Sequence, residues 1–435
     1  MIIPVSVQII FFSLLIIYII FTVSQINLIF FYGLINLDII SISLIFLSVF
    51  ITLLIIFRQF FGVYLIALNK LFCILLVSLV FSFSANRTLI FYFYFEWSLI
   101  PIFLIIIGWG YQIERLKARL YLLFYTLFAS LPLLMFIFLS MFFLGNRSIL
   151  FLSLVENLLM ERRLTLIFLV MAFLVKFPIF IVHQWLPKAH VEAPVRGSII
   201  LAGVLLKLGG YGLIRFRYFF TFSSLLAVFL CMALIGGGLL GVNCLRQRDI
   251  KVIIAYSSVV HMAFIILGIL SNNGWGIMGA TIIIVAHGIC SSGIFACANI
   301  LYERSHSRRL LLNRGILNLM PAFRLIWFIL CIANFGGPFS INLLREVILI
   351  INVSSVSNFF FIRVLLISFI SAAYRLILYA STQQGSLVSG TYLKSNNTFR
   401  ELLILNRHIW PLLILCARRL IIYLRWQNKC ANLKS

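Results

Sequence analysis

Six residues able to exchange protons stand inside runs that are otherwise apolar. Lys176 lies in LIFLVMAFLVKFPIF, Lys207 in SIILAGVLLKLGGYG, Glu96 in FYFYFEWSLIPIF, Glu346 in GGPFSINLLREVILI, His261 in AYSSVVHMAF and His287 in IIIVAHGICSSG. A charged side chain at the centre of a lipid-facing span costs roughly 2.5–3.5 kcal/mol, so such groups turn inward, pair with one another and mark an internal polar path. The inventory is titratable and offers few groups suited to recognising a sugar or an amino acid. It points to proton movement across a membrane.

Each residue also has a plainer reading. Glu96, flanked by aromatics, could be an interfacial carboxylate reaching for lipid headgroups. Lys207, within two turns of the end of its run, could snorkel to the nearer interface. Either histidine could simply donate to a helix carbonyl or a serine hydroxyl. Against these stands their co-occurrence. An acid near Lys176 keeps both charges tolerable, and disturbing one shifts the proton affinity of the other. Pro178 follows Lys176 by two positions and distorts the helix where the amine sits. Gly209 and Gly210 permit bending after Lys207, and small residues before it permit close helix approach. Glu346 follows a backbone break at Asn334, Gly336, Gly337 and Pro338 and adjoins Arg345. The two could neutralise each other, but neighbours on a helix point about 100° apart. Glu346 is therefore expected to turn inward while Arg345 reaches another partner.

Composition fixes the solvent that these groups avoid. Of 435 residues, 63% are hydrophobic and 10% charged, with a mean hydropathy of +1.17. Long apolar runs separated by short polar connections describe an all-α polytopic membrane protein. Continuous rather than alternating apolarity disfavours a β-barrel. The net charge of +24 is scattered over the connections and forms no long stripe, so nucleic acid is not the expected partner and anionic lipid is. Cys73, Cys231, Cys290, Cys297, Cys331 and Cys416 sit in apolar runs as small hydrophobes, without zinc or iron–sulfur spacing. No metal site is expected, and no GxGxxG or Walker motif is read in the chain, so dinucleotide chemistry is not expected. The apolar stretch 2–22 lacks a basic lead and a cleavage site, and is expected to be a first span rather than a targeting signal.

The apolar runs are 2–22, 37–57, 71–86, 89–109, 119–144, 165–184, 195–214, 219–243, 251–270, 276–300, 322–352, 357–380 and 409–424, about thirteen helices. Residues 60–70 fit loop or helix. A compact polar turn carrying His183, Lys188, His190 and Glu192 is expected between the Lys176 and Lys207 runs. Alternating the spans gathers Arg246 to Lys251 and Arg304 to Arg314 on the side richer in cations, which should be the negative, matrix-like or cytoplasmic one. The C-terminal cluster of Arg418, Arg419, Arg425, Lys429 and Lys434 falls on the other side. Two functions besides a driven proton pump fit this inventory. One is an independent secondary antiporter exchanging cations down a gradient. The other is a scaffold using its charges as fixed interhelical ties.

Longer stretches carry a resemblance. FEWSLIPIFLIIIGWGYQIERLKARLYLLFYTLFASLPLL, FLVKFPIFIVHQWLPKAHVEAPVRGSIILAGVLLKLGGYG, LRQRDIKVIIAYSSVVHMAF, AHGICSSGIFACANILYERSHSR and FSINLLRE cover most of Phe95 to Glu346. They resemble the Mrp-antiporter-like proton-pumping subunits in the membrane arm of respiratory NADH:ubiquinone oxidoreductase, complex I, in their mitochondrially encoded animal form. KAHVEAPVRGS together with IAYSS and HGICSSG is highly specific. The resemblance implies an antiporter-like fold of two inverted five-helix repeats, about 71–214 and 219–380. These lie between N-terminal spans in 1–70 and a loop and C-terminal helix in 381–435, and each holds one broken helix, at Lys176 to Pro178 and at Asn334 to Pro338. It implies that Glu96 and Lys176 form a modulating pair, that Lys207 is the central proton carrier, and that His261 and His287 relay protons toward Glu346. It implies that NADH, FMN, iron–sulfur clusters and ubiquinone belong to other subunits. It further implies adjacent antiporter-like subunits as partners, phospholipid including cardiolipin at the seams, and the mitochondrial inner membrane as the location. The chain departs from the family pattern in three places. One span, where two are usual, precedes GLINLDIISISLIF; Arg345 stands where a small residue commonly precedes the acid; and Arg196 adds a charge after HVEAP.

Overall fold

The computed structural model describes residues 37–57, 63–110, 114–144, 163–217, 224–315, 320–338, 340–355, 357–385 and 398–432. The expected span 2–22 lies outside them. Within them the chain is helical throughout, because an apolar solvent leaves the backbone no hydrogen-bond partner but itself. Among the described residues nine helices are long and apolar enough to cross a membrane, and a bent pair makes up to ten.

The helices run α1 (Ile39–Phe57), α2 (Val63–Ser84), α3 (Thr88–Trp97), α4 (Leu99–Trp109), α5 (Arg115–Leu144), α6 (Arg163–Lys176), α7 (Trp185–Glu192), α8 (Val195–Ile200), α9 (Leu206–Arg215), α10 (Ser224–Arg246), α11 (Ile250–Leu270), α12 (Gly274–Ser305), α13 (Pro321–Phe335), α14 (Ile341–Ser354), α15 (Asn358–Gln383) and α16 (Phe399–Asn432). α3 and α4 form one span, Thr88–Trp109, and α8 and α9 form another, Val195–Arg215. α2 begins eight residues before the run expected from residue 71, so the stretch read as loop or helix is helix from Val63.

Among the described spans, the one around Lys207 and those of α11 and α12 are the most enclosed. All of the apolar window of Val195–Arg215 is buried, and 89% of those of α11 and α12, against 33% for α15. Lys207, His261 and His287 are therefore held by the innermost helices, while α5, α10 and α15 turn apolar flanks outward. Glycines set how closely the inner helices approach. A Cβ on Gly203 would lie 2.4 Å from Ile51 Cδ1, and one on Gly288 would lie 2.9 Å from the Gly203 carbonyl. This contact presses the Lys207 span onto α12, one residue from His287.

One expectation is corrected: Gly236, Gly238 and Gly241 do have the GxGxxG spacing. They lie in mid-helix in α10, where a Cβ on Gly236 would strike Phe180 at 2.1 Å and one on Gly241 would strike Ile370 at 2.8 Å. They serve helix packing, since a phosphate loop needs a strand before it and a helix beginning at it.

Candidate functional site: a buried polar axis

The site begins where α6 stops. Pro178 has no N–H, and Ile179 N–H reaches back five residues to the Leu174 carbonyl at 3.1 Å. The Val175 carbonyl is taken instead by the indole Nε1–H of Trp185 at 3.0 Å. The chain bends by 53° between Ile167–Lys176 and Phe180–Glu192, so the run expected to span 165–184 breaks after Lys176. That places Lys176 at a helix end, 5% exposed. Its ammonium lies 3.3 Å from Glu96 Oε1 and 3.1 Å from the centre of the Phe95 ring, and it donates to the Phe95 carbonyl. The expected Glu96–Lys176 pair is thus formed, with an aromatic face and a backbone oxygen as further partners of the cation.

The expected polar turn after the bend is the helix α7. Lys188 lies on its exposed side, 3.5 Å over the Tyr121 ring, while His190 and Glu192 are buried. The His190 ring stacks on Phe295 with centroids 4.6 Å apart. The sequence suggests a turn because WLPKAHVE scatters three polar residues among five others without a clear apolar period. Burial by α5, α11 and α12 supplies what propensity does not.

Lys207 owes its place to a π-helical turn, Leu201–Leu205. There Leu206 N–H reaches back to the Leu201 carbonyl, and the Ala202 carbonyl accepts the Lys207 ammonium at 2.6 Å. Such single-turn bulges free backbone groups for other use. Lys207 is 0% exposed, which excludes snorkelling to the surface of this chain. Its ammonium stands 3.0 Å from His287 Nδ1. Between the first pair and this centre lies a small cavity bounded by Thr126, Lys176, Trp185, Leu201, Leu205 and Leu206. Lys176 and the π turn thus share a wall.

From His287 the axis continues into α11. The His261 and His287 rings are 5.1 Å apart, and both are fully buried. His261 Nδ1 faces Arg345 Nη2 at 3.3 Å, and its Nε2 meets Arg375. A neutral imidazole has one acceptor nitrogen, so it can accept from one guanidinium at a time. Arg345 Nη2 is also 3.7 Å from Glu346 Oε1. The expectation for Arg345 is therefore half corrected: it does reach another partner, His261, yet stays in ion-pair range of its neighbour, because a long side chain overcomes the angular offset.

Glu346 is 8% exposed and packs on the break between α13 and α14. Gly336 there has φ +77°, and a Cβ on it would lie 2.8 Å from Glu346 Oε2. The position needs glycine twice, for a left-handed backbone and for room beside the carboxylate. The break is held by the Asn342 amide, which donates to the Ala333 carbonyl, and by Arg375 Nη1, which donates to the Asn334 carbonyl at 2.6 Å.

Two further residues belong to the site beyond those the sequence points to. Arg375, 3% exposed in α15, carries the same signal as the lysines, a charge deep in an apolar run. Lys251 was assigned to a basic loop, but it is 3% exposed at the start of α11, 3.4 Å from the Ala193 carbonyl.

A multi-pass helical chain with two broken helices and a buried line of lysine, histidine and glutamate between them defines the antiporter-like class of membrane proteins. The chain belongs to the NADH:quinone oxidoreductase/Mrp antiporter transmembrane family, whose model matches residues 85–371. It is 47% identical over 349 residues to NADH-ubiquinone oxidoreductase chain 4 of Ceratitis capitata, covering 79% of this chain and 77% of that one. It is 48% identical over 334 residues to the protein of that name from Aedes aegypti, covering 75% and 73%. Among solved structures, a chain of respiratory complex I from Thermus thermophilus with bound NADH superposes with a TM-score of 0.79 at 23% identity, over 87% of this chain and 81% of that chain. A chain of the Mrp complex from Dietzia sp. gives 0.78 at 15% identity, over 89% and 82%.

Proposed function

We propose that this chain is a proton-translocating subunit in the membrane arm of NADH:ubiquinone oxidoreductase, in the place that chain 4 holds in its relatives. The observation that carries the reading is the continuity of the axis. Glu96 touches Lys176, a cavity wall joins Lys176 to the Lys207 span, and Lys207, His287, His261, Arg345 and Glu346 follow at contact distances. Groups so close can hand a proton along by short transfers or through intervening water, which isolated structural ion pairs would not require.

In this reading the roles are those the geometry favours. Lys207 is the central carrier, Glu96 and Lys176 modulate it, His287 and His261 relay, and Glu346 receives. Residues 71–214 and 219–380 form two inverted repeats, and the expected span 2–22 lies outside the described residues. NADH, FMN, iron–sulfur clusters and ubiquinone are held by partner subunits, so redox work reaches this chain as changes of charge and shape. The outward apolar flanks seat against neighbouring antiporter-like subunits, with phospholipid such as cardiolipin between them, in the mitochondrial inner membrane.

Native separation of solubilised inner membranes tests this directly. The chain is expected to migrate wholly with NADH:quinone reductase activity, and the chain alone in vesicles is expected to exchange no sodium for protons. Sodium–proton exchange by the isolated chain would overturn the reading in favour of an independent antiporter.

A further inference from the structure

The polar axis has an apolar floor of unusual composition. Phe91, Phe95, Phe173, Tyr211 and Phe216 form one aromatic cluster, with Phe83 on its rim, and every ring is at most 1% exposed. Phe91 is 5.5 Å from Phe95, 6.2 Å from Phe173, 6.1 Å from Tyr211 and 6.2 Å from Phe216 by ring centres. Phe173 is 5.7 Å from Phe95 and 5.5 Å from Phe216, and Phe83 meets Tyr211 edge-on at 5.3 Å.

Three helices put this layer at the same depth. In α3, Phe91 and Phe95 precede Glu96; in α6, Phe173 precedes Lys176 by one turn; in α9, Tyr211 follows Lys207 by one turn. α9 runs antiparallel to α6, since the Cβ of Gly209 would meet Phe177 at 2.7 Å and that of Gly212 would meet Phe173 at 2.2 Å. The rings therefore lie below all three charged groups on one side only. Polar structure resumes immediately beyond them. The Tyr211 hydroxyl donates to the Phe83 carbonyl at 2.7 Å and accepts from Arg215 Nε at 2.7 Å. Arg215 in turn pairs with Asp38, whose side chain is 42% exposed.

One layer of rings, about one helical turn thick, thus separates the Glu96, Lys176 and Lys207 centre from a polar cluster that reaches the surface. On the opposite side of that centre, among the described residues, lie the bend, the cavity against Lys176 with Trp185 and Thr126 in its wall, and buried His190 and Glu192. In the second half of the chain Leu349 packs between α11 and α12, 1% exposed. It sits in a slot where a Cβ on Gly268 would meet it at 2.7 Å and one on Gly279 at 3.0 Å. Beyond it the Asn352 amide donates to Ser271 Oγ at 2.7 Å.

We propose that the Phe91–Phe95–Phe173–Tyr211–Phe216 layer is a proton seal, which closes the Lys207 centre toward the Asp38–Arg215 face and forces any proton arriving there to leave sideways through His287. The inference rests on the proton-translocating reading above and adds the residues that give the path its direction. Closely packed rings exclude water files, and a conducting path through an apolar constriction requires wetting. Gly209 and Gly212 matter because they let Phe173 and Phe177 press against bare backbone.

The test uses assembled enzyme in sealed vesicles, with Phe173→Asn to wet the layer, Phe173→Leu as the apolar control and Gly212→Ala to displace the ring without removing it. Collapse of an imposed pH difference without NADH, and protons moved per NADH oxidised, are both normalised to assembled enzyme. Phe173→Asn and Gly212→Ala are expected to accelerate collapse about tenfold and to lower protons per NADH while NADH oxidation persists. Phe173→Leu should match the parent. Should Phe173→Asn not assemble, Gly212→Ala decides alone. Parental leak and parental stoichiometry in whichever of these variants assembles would overturn the seal. Lys207→Ala in the same vesicles separates the two claims. If it pumps normally, the translocating role falls; if it fails to pump while Phe173→Asn stays tight, only the seal falls.

Discussion

Lys207→Ala leaves the chain inserted and the assembly largely intact, yet lowers NADH-driven proton uptake and quinone reduction together. The expected loss is on the order of 100-fold per assembled enzyme, the range in which positioned proton-transfer groups act. Assembly survives because the ammonium's two partners, the Ala202 carbonyl and His287 Nδ1, are both left as acceptors in a space that the truncated side chain opens to water. Turnover does not survive, because the contact between the first pair and the histidines passes through this one amine. Native separation gives the amount of assembled enzyme, and proton uptake is divided by it. Uptake at the parental rate and proton-to-electron ratio would remove Lys207 from the path.

Glu96→Gln is the second large effect, and the geometry separates its two possible causes. The substitution keeps side-chain size and removes the charge 3.3 Å from Lys176. Were Glu96 only a fixed counter-charge, the loss would appear as poor assembly, since breaking a buried pair costs about 3–5 kcal/mol. Lys176, however, keeps the Phe95 carbonyl and ring face, so it is not left bare. What disappears is the compensation of its charge. While the carboxylate is close, little of the ammonium's field escapes. When the pair opens at the Pro178 bend, that field acts across the shared cavity wall on the Lys207 span with little screening. Coupled turnover is therefore expected to fall about tenfold with assembly at least half retained. Normal proton uptake per assembled enzyme would sink the switch, even if total membrane activity fell.

These expectations rest on features of unequal legibility in the sequence. Charges inside apolar runs are legible because lipid offers them no partner: Lys176, Lys207 and Glu346 lie buried, and the Glu96 side chain is 15% exposed. Both breaks are legible because Pro178 lacks an N–H and Gly336 tolerates a left-handed backbone. Contacts are another matter. The inner helices are apolar on all sides, so no periodicity tells which face of α11 meets α12, and His261 carries no sign that two arginines converge on it. The π turn at Leu201–Leu205 leaves no local signature, since Leu, Ala and Val suit an ordinary helix equally well. It exists because the Gly203 and Gly288 backbones approach and Lys207 takes up a carbonyl. The helix at Trp185–Glu192 looks like a turn in sequence for a like reason, since burial by distant segments decides it.

The central claim is that Lys207 and His287 are links of one path, and a double-mutant comparison tests it most directly. Proton uptake per assembled enzyme is measured for Lys207→Ala, for His287→Leu and for the two combined. Residues acting in series lose their effect as a unit, so either change alone should cost nearly as much as both together. Losses that multiply in the double variant would show that the two residues act independently, and would contradict the path drawn here.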